Sequence, residues 1–102
     1  MTIEKIRECL LNIFIDELEI DLYEIVEDIK IRNNKTVDIN TLSMKDEIGV
    51  DSLVYVDLIS SMEIKFDIEV YMQDLENIDT LEQLSFIILE KMNQKDAGCL
   101  KD

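Results

Sequence analysis

The chain offers chemistry 24 carboxylates, 10 Lys and Arg, two Cys and no His among its 102 residues. Without His, a His-based triad, a His general base and a His-rich zinc site are excluded. Cys9 and Cys99 form neither a CxxC pair nor a disulfide framework. Cys9 falls near an apolar stripe, where a small buried thiol is ordinary, and Cys99 has only Lys95 and Lys101 nearby, so neither thiol looks activated. No phosphate-cradling glycine motif and no D-x-[DN]-x-[DN]-G calcium loop occurs. The residue that stands out is Ser52, preceded by Gly49-Val50-Asp51 and followed by Leu53. A Ser at a helix start is exposed, and free backbone N–H groups and the positive end of the helix dipole favour a phosphate on it. Gly49 can take a positive φ and keep that approach uncrowded. Taken alone, a Ser at such a position is more often an ordinary cap. Asp51 suits a helix start for the same electrostatic reason, and its carboxylate is the oxygen ligand that a hard cation takes.

The elements that hold these residues must come from one small domain. Hydrophobic residues make up 47% of the chain, enough for a core, and the length leaves room for little beyond one domain. The formal net charge is −14 and is shared evenly by the two halves, which argues against a folded head with an acidic tail. Such a charge excludes a non-specific nucleic-acid binder, which needs Lys and Arg against phosphate, and an anionic membrane surface would repel it. The N-terminal stretch, with Glu4, Lys5, Arg7 and Glu8, lacks the pattern of a signal peptide. Apolar runs such as Phe86 to Leu89 are too short to span a bilayer. The expectation is a soluble, reduced, cytoplasmic monomer.

Pro is absent and Gly occurs only at 49 and 98, so helix breakers are scarce. Ile3, Ile6, Leu10, Ile13 or Phe14, and Leu18 lie at helical spacing. Asp21-Leu22-Tyr23-Glu24 resembles a capping box that would start a second helix running to about Ile31. One long helix through both segments fits as well, because Leu22, Ile25 and Ile29 nearly continue the stripe. Residues 32–51 have the composition of a long loop. Leu53, Val56, Leu58, Ile59, Met62 and Phe66 then recur at three and four residues behind Asp51-Ser52. Asp79-Thr80 open a last helix with Leu81, Leu84, Ile87, Ile88 and Met92 on its buried side, and Asp67 to Ile78 suits an extended stretch with a helical turn or two. The fold class is all-α: a small four-helix bundle with a long loop after the first helical region and room for an extra helical segment.

The stretch Ile48-Gly49-Val50-Asp51-Ser52-Leu53, followed by Val56-Asp57-Leu58 and Met62-Glu63, resembles the prosthetic-group signature of acyl carrier proteins. The resemblance continues through Phe66-Asp67-Ile68-Glu69-Val70 and Ile78-Asp79-Thr80-Leu81, running without apparent gaps from about Ser43 to Ile88. A single carrier domain is expected over 1–94, and residues 95–102 read as a flexible C-terminal tail. The resemblance implies that Ser52 receives 4′-phosphopantetheine from coenzyme A through a separate magnesium-dependent phosphopantetheinyl transferase, with Asp51 helping to hold the magnesium in that complex. The thiol of the arm would carry acyl groups as thioesters between acyl-loading, condensing or tailoring enzymes. Leu53 and Val56 match apolar contact positions, and Asp57 and Glu63 match acids that dock on basic patches of those enzymes. Without the resemblance, Leu53 and Val56 read as core, and the two acids as a solvated face. Met62, Phe66, Val70, Ile78, Leu84 and Ile88 match the family's core and the walls of its acyl pocket; by residue type they are simply core.

Several positions depart from the pattern. Tyr71 stands where housekeeping fatty-acid carriers usually have Pro, and Ser60, Ile64 and Lys65 replace a large apolar residue and two acids. The segment before the loop is longer by roughly a helix. Asp51, rather than a His before the Ser, favours an acyl over a peptidyl type of carrier. These features point to a free-standing carrier of polyketide or nonribosomal peptide biosynthesis, with a housekeeping fatty-acid carrier and an acidic helical adaptor without prosthetic group as the alternatives. A small enzyme is the least supported reading, since no catalytic constellation is present.

Overall fold

The computed structural model describes residues 2–101, with side chains through residue 94. The tail expected over 95–102, and Cys99 within it, lie outside the residues whose side chains are described. The described residues form α1 (Ile3–Asn12), α2 (Leu22–Asn33), α3 (Ser52–Phe66) and α4 (Leu81–Lys101), with no strand. The all-α architecture is therefore as expected. Among the described residues no helix is long and apolar enough to cross a membrane.

Helix α1 starts at Thr2, whose Oγ1 accepts the Lys5 N–H at 3.3 Å, and buries Ile6 and Leu10 on one face. It does not run on into α2. Over Ile13–Glu17 it widens into a π turn, closed by the Leu18 N–H on the Ile13 carbonyl at 2.9 Å. Glu19 then takes a positive φ of 57°, a conformation that ends a helix. The choice between one long helix and two is settled by this break and by Asp21, whose Oδ1 accepts the N–H groups of Tyr23 and Glu24. Helix α2 ends two residues beyond the expected Ile31, at left-handed Asn34. It buries only Leu22, so the extra helix lies on the bundle rather than in it.

The connection from 34 to 51 contains more structure than its composition suggests. Asp38 caps a short 3₁₀ turn, Ile39–Thr41, and Ser43 caps a second π turn, Met44–Ile48. Leu42, Met44 and Val50 point inward and fix this segment to the core. Between α3 and α4, the expected helical turn is present at Met72–Leu75.

The core is continuous, with Ile6, Leu10, Ile13 and Phe14 meeting Leu58, Met62 and Phe66 of α3 and Leu81, Leu84 and Ile88 of α4. Val70 is buried in it, and Ile78 packs against it half-buried. Each large aliphatic buried there contributes about 1.5–3 kcal/mol relative to exposure. The faces are partly as expected from residue type. On α3, Tyr55 faces the core, while Leu53 and Val56 face solvent, which departs from their reading as core by residue type and agrees with the contact positions that the resemblance implies. On α4, Ile87 and Met92 are only half-buried, and Ser85 occupies the buried face by donating its hydroxyl to the Glu82 carbonyl at 2.6 Å.

The link before α4 is pinned electrostatically. Asp74 accepts from the Lys91 ammonium at 2.8 Å and from the Tyr71 N–H at 2.9 Å, and these contacts hold its carboxyl below the usual range. A carboxyl pKa lowered by folding adds stability that is present above its unfolded value, about 3.9, and is lost as pH falls through the folded value. The gap in thermal midpoint between the wild type and Asp74→Asn should therefore be widest near neutral pH and should narrow on acidification to pH ~3. Circular dichroism melts at both pH values check it, and a gap independent of pH would remove Asp74 from the acid response.

Candidate functional site

The π turn Met44–Ile48 ends at Gly49, which adopts a φ of 80° and donates its N–H to the Met44 carbonyl. The Val50 N–H reaches the same carbonyl at 2.7 Å. A side chain at Gly49 would meet no atom within 4 Å, so its left-handed backbone, and not crowding, demands glycine. Val50 is buried and anchors the turn, and the chain then enters α3.

Asp51 caps α3: its Oδ1 accepts the Val54 N–H at 3.0 Å and its carbonyl accepts the Tyr55 N–H at 2.9 Å. The cap is thus Asp51, and Ser52 is the first residue of the helix. This separates the two readings of Ser52. A capping Ser would spend its hydroxyl on a backbone N–H, whereas among the described residues the Ser52 hydroxyl has no hydrogen-bond partner and the residue is exposed. The amides of Ser52 and Leu53 stand ahead of the helix's own hydrogen-bond ladder, as at any helix start. A free hydroxyl, an uncrowded left-handed glycine before it and an unopposed helix N-terminus fit a phosphodiester at this position.

Leu53 and Val56 flank Ser52 with 78% and 56% of their surface exposed, so neither is core. Asp57 is exposed and, among the described residues, has no ion-pair partner. Glu63 is different. Its Oε2 accepts the Val70 N–H at 3.0 Å, latching the segment that follows left-handed Asp67 back onto α3. The structure brings Asp51, Ser52, Leu53, Val56 and Asp57 together on the first two turns, and gives Glu63 an internal task at the far end of the helix.

The site's loop is held in place by residues distant in sequence. Asp79 accepts the Ser43 hydroxyl on one carboxylate oxygen and the Lys45 N–H on the other at 3.2 Å, while its carbonyl accepts the Met44 N–H at 2.7 Å. Ser43 Oγ in turn accepts the Asp46 N–H at 3.1 Å. Thr80 caps α4 by accepting the Gln83 N–H, and Gln83 Oε1 accepts the N–H groups of Asp79 and Thr80, a reciprocal capping box. One hub therefore fastens the turn before Ser52 to the start of α4. The T-x-x-Q spacing at Thr80 was the available signal for the cap; nothing local signals the pairing of Ser43 with Asp79, 36 residues apart. Tyr55 lies buried nearby with its hydroxyl unpartnered among the described residues; burial, and then the Asp79 charge, push its pKa up and keep it a neutral phenol.

Comparison with known proteins agrees with this geometry. The family model described as a phosphopantetheine attachment site matches residues 10–85. The class is that of carriers bearing a covalently attached 4′-phosphopantetheine arm. The acyl carrier protein of Buchnera aphidicola subsp. Acyrthosiphon pisum is 39% identical over 56 residues, covering 55% of this chain and 69% of the relative. The acyl carrier protein of Petrotoga mobilis is 29% identical over 96 residues, covering 94% of this chain and 98% of the relative. No solved structure gives a significant match. The chain belongs to the acyl carrier protein family.

Proposed function

We propose that Ser52 is the attachment residue and that the chain carries acyl groups as thioesters on the arm, in the cytoplasm, as a substrate of separate enzymes rather than as a catalyst. The observation that carries this reading is the exposed, unpartnered hydroxyl of Ser52 beside a cap that does not need it. In the loading reaction Ser52 Oγ forms the new P–O bond to coenzyme A, the pyrophosphate bond breaks, and adenosine 3′,5′-bisphosphate leaves. The phosphopantetheinyl transferase takes the hydroxyl proton. Asp51, fixed on the Val54 N–H, is the carboxylate nearest in sequence to help hold that enzyme's magnesium. The pathway is polyketide or nonribosomal peptide biosynthesis, a reading supported by Ser60, Ile64, Lys65 and Tyr71, which all lie exposed. Intact-mass analysis after incubation with coenzyme A, magnesium and a broad-specificity transferase tests attachment, with one added arm expected. Loading by enzymes of polyketide, peptide and fatty-acid pathways tests the context, and preference for a fatty-acid partner would overturn it.

Leu53, Val56 and Asp57 form the docking face beside the arm, meeting an apolar surface and a basic patch of partner enzymes. Glu63→Lys tests fold as much as docking, because it removes the acceptor of the Val70 N–H. Asp57 has no such task, so Asp57→Lys reads docking alone. We expect it to slow transfer onto Ser52 at physiological salt by about tenfold or more, since a like charge against a basic patch costs several kcal/mol where contact is made. Glu27→Lys on α2 makes the same change in net charge on an exposed residue and should have little effect. Equal losses in the two variants would reject a local face.

A further inference from the structure

One polar group in the interior has no task in the fold. On the buried face of α3, Tyr55 precedes Leu58, Met62 and Phe66, and only 8% of its surface is exposed. Its hydroxyl is buried and has no hydrogen-bond partner among the described residues. Arg7 Nε is also buried without a partner there, but it belongs to a guanidinium that pairs with Glu82 at 3.6 Å. Ser85, the buried polar residue of α4, donates its hydroxyl to the Glu82 carbonyl. Asp79 lies close enough for its charge to act on the phenol, yet its carboxylate oxygens accept from Ser43 and Lys45. A buried hydroxyl left unpaired carries its full desolvation cost, and in a native protein such a group calls for a function or a bound partner.

The position of the phenol identifies its partner. Tyr55 follows Ser52 by three residues, so the two side chains leave neighbouring sides of the first turn, with Cβ atoms about 5–6 Å apart. Whatever is tethered to Ser52 is thus held beside the phenol. We propose that Tyr55 is a specificity-determining residue: its hydroxyl donates to a carbonyl oxygen on the acyl group that the arm holds, and so favours oxo-acyl cargo over a saturated chain. This rests on the carrier reading with Ser52 as the attachment residue. The phenol acts as a donor, because burial and the Asp79 charge both hold its proton in place. Beyond Tyr55 the interior turns apolar, with Leu58, Met62, Leu84 and Ile88 fully buried. An acyl group entering from the Ser52 end meets one donor and then hydrocarbon, which matches an oxygen near the thioester followed by an apolar chain. A saturated chain would leave the phenol unpaired, and a buried group that only one of two substrates satisfies discriminates between them. The carbonyls of the arm itself are the other source of the same chemistry, and the test separates the two.

The test loads the full chain with the bare arm, a butanoyl arm or a 3-oxobutanoyl arm, by transfer from the matching coenzyme A derivatives, in the wild type and in Tyr55→Phe. Intact mass verifies each form, and circular dichroism verifies its fold. Two quantities are read: the thermal midpoint, and the resonance of the hydroxyl-bearing ring carbon in ¹³C-tyrosine-labelled wild type, with exposed Tyr23 and Tyr71 as internal references. In the wild type the 3-oxobutanoyl form is expected to melt about 4–8 °C above the butanoyl form, the shift that one recovered hydrogen bond produces in a small domain. Only that form should move the Tyr55 resonance. In Tyr55→Phe the gap between the two cargoes should close. The unloaded Tyr55→Phe chain should melt no lower than the unloaded wild type, since it gives up no bond. A midpoint lower there by about 4 °C or more would show that the phenol is already paired, and would overturn the proposal. So would a gap that survives in Tyr55→Phe, or a Tyr55 resonance that stays fixed in every form. A shift already complete with the bare arm would assign the acceptor to the arm and overturn selection of cargo. A chain that gains no arm rejects the carrier reading and this proposal together; arm gain without the Tyr55 effects rejects the proposal alone.

Discussion

Ser52→Ala should abolish arm attachment while leaving the helical bundle intact. The expected result is an unchanged mass after incubation with coenzyme A, magnesium and transferase, under conditions in which the wild type gains one arm. Stability should change little. Substituting a capping Ser costs about 0.5–2 kcal/mol, but the cap of α3 is Asp51, and the Ser52 hydroxyl bonds to no described residue. Alanine is also the best helix former, so a midpoint equal to or slightly above that of the wild type is expected. Asp51→Ala gives the converse: it frees the Val54 N–H and should cost about 1 kcal/mol while leaving the hydroxyl in place. The exposed Ser60 and the half-buried Ser43 and Ser61 are the control positions, and an arm on any of them in Ser52→Ala would reject the assignment.

The backbone geometry of the candidate site was legible in the sequence because its parts are local. Gly49, Asp51 and Ser52 sit within four positions, and the rules that place a left-handed glycine, a cap and a first helical residue act over that distance. The buried side of α3 was less legible. Leu53, Val56, Leu58, Ile59, Met62 and Phe66 keep helical intervals that do not by themselves separate the two faces; the resemblance turns Leu53 and Val56 outward, and the packed bundle also turns Tyr55 inward. Tyr55 is buried although its hydroxyl gives it a polar end, so its place on the core face does not stand out in a pattern of aliphatic residues. The two π turns were not legible at all, since a fifth-residue hydrogen bond has no residue preference comparable to a cap. Glu63 shows the remaining limit. Its spacing from Asp57 says nothing of the Val70 N–H that it accepts, which comes near only after the chain reverses at Asp67.

Asp79→Ala should cause the larger loss of stability, because the Asp79 carboxylate fastens the turn before Ser52 to the start of α4. Its carboxylate takes the Ser43 hydroxyl and the Lys45 N–H, and hydrogen bonds to a charged group are worth about 1.5–3 kcal/mol each. Lys45 is exposed, so water recovers part of the second bond, and a net cost of about 2–4 kcal/mol is expected. For a domain of this size that is a fall in thermal midpoint of roughly 10–20 °C. Function should follow, since the turn that the hub anchors leads directly to Asp51 and Ser52: transfer of the arm should slow even at temperatures where the variant is folded. Ser43→Ala removes the same side-chain bond from the other side, and also the acceptor of the Asp46 N–H. Residues that share one bond do not add. The double variant should therefore lose less than the sum of the two single losses, by at least ~0.5 kcal/mol in denaturant melts. Additive losses would mean that the Ser43 hydroxyl and the Asp79 carboxylate act independently, and that the turn before Ser52 is held by the Met44 N–H and its buried side chain instead.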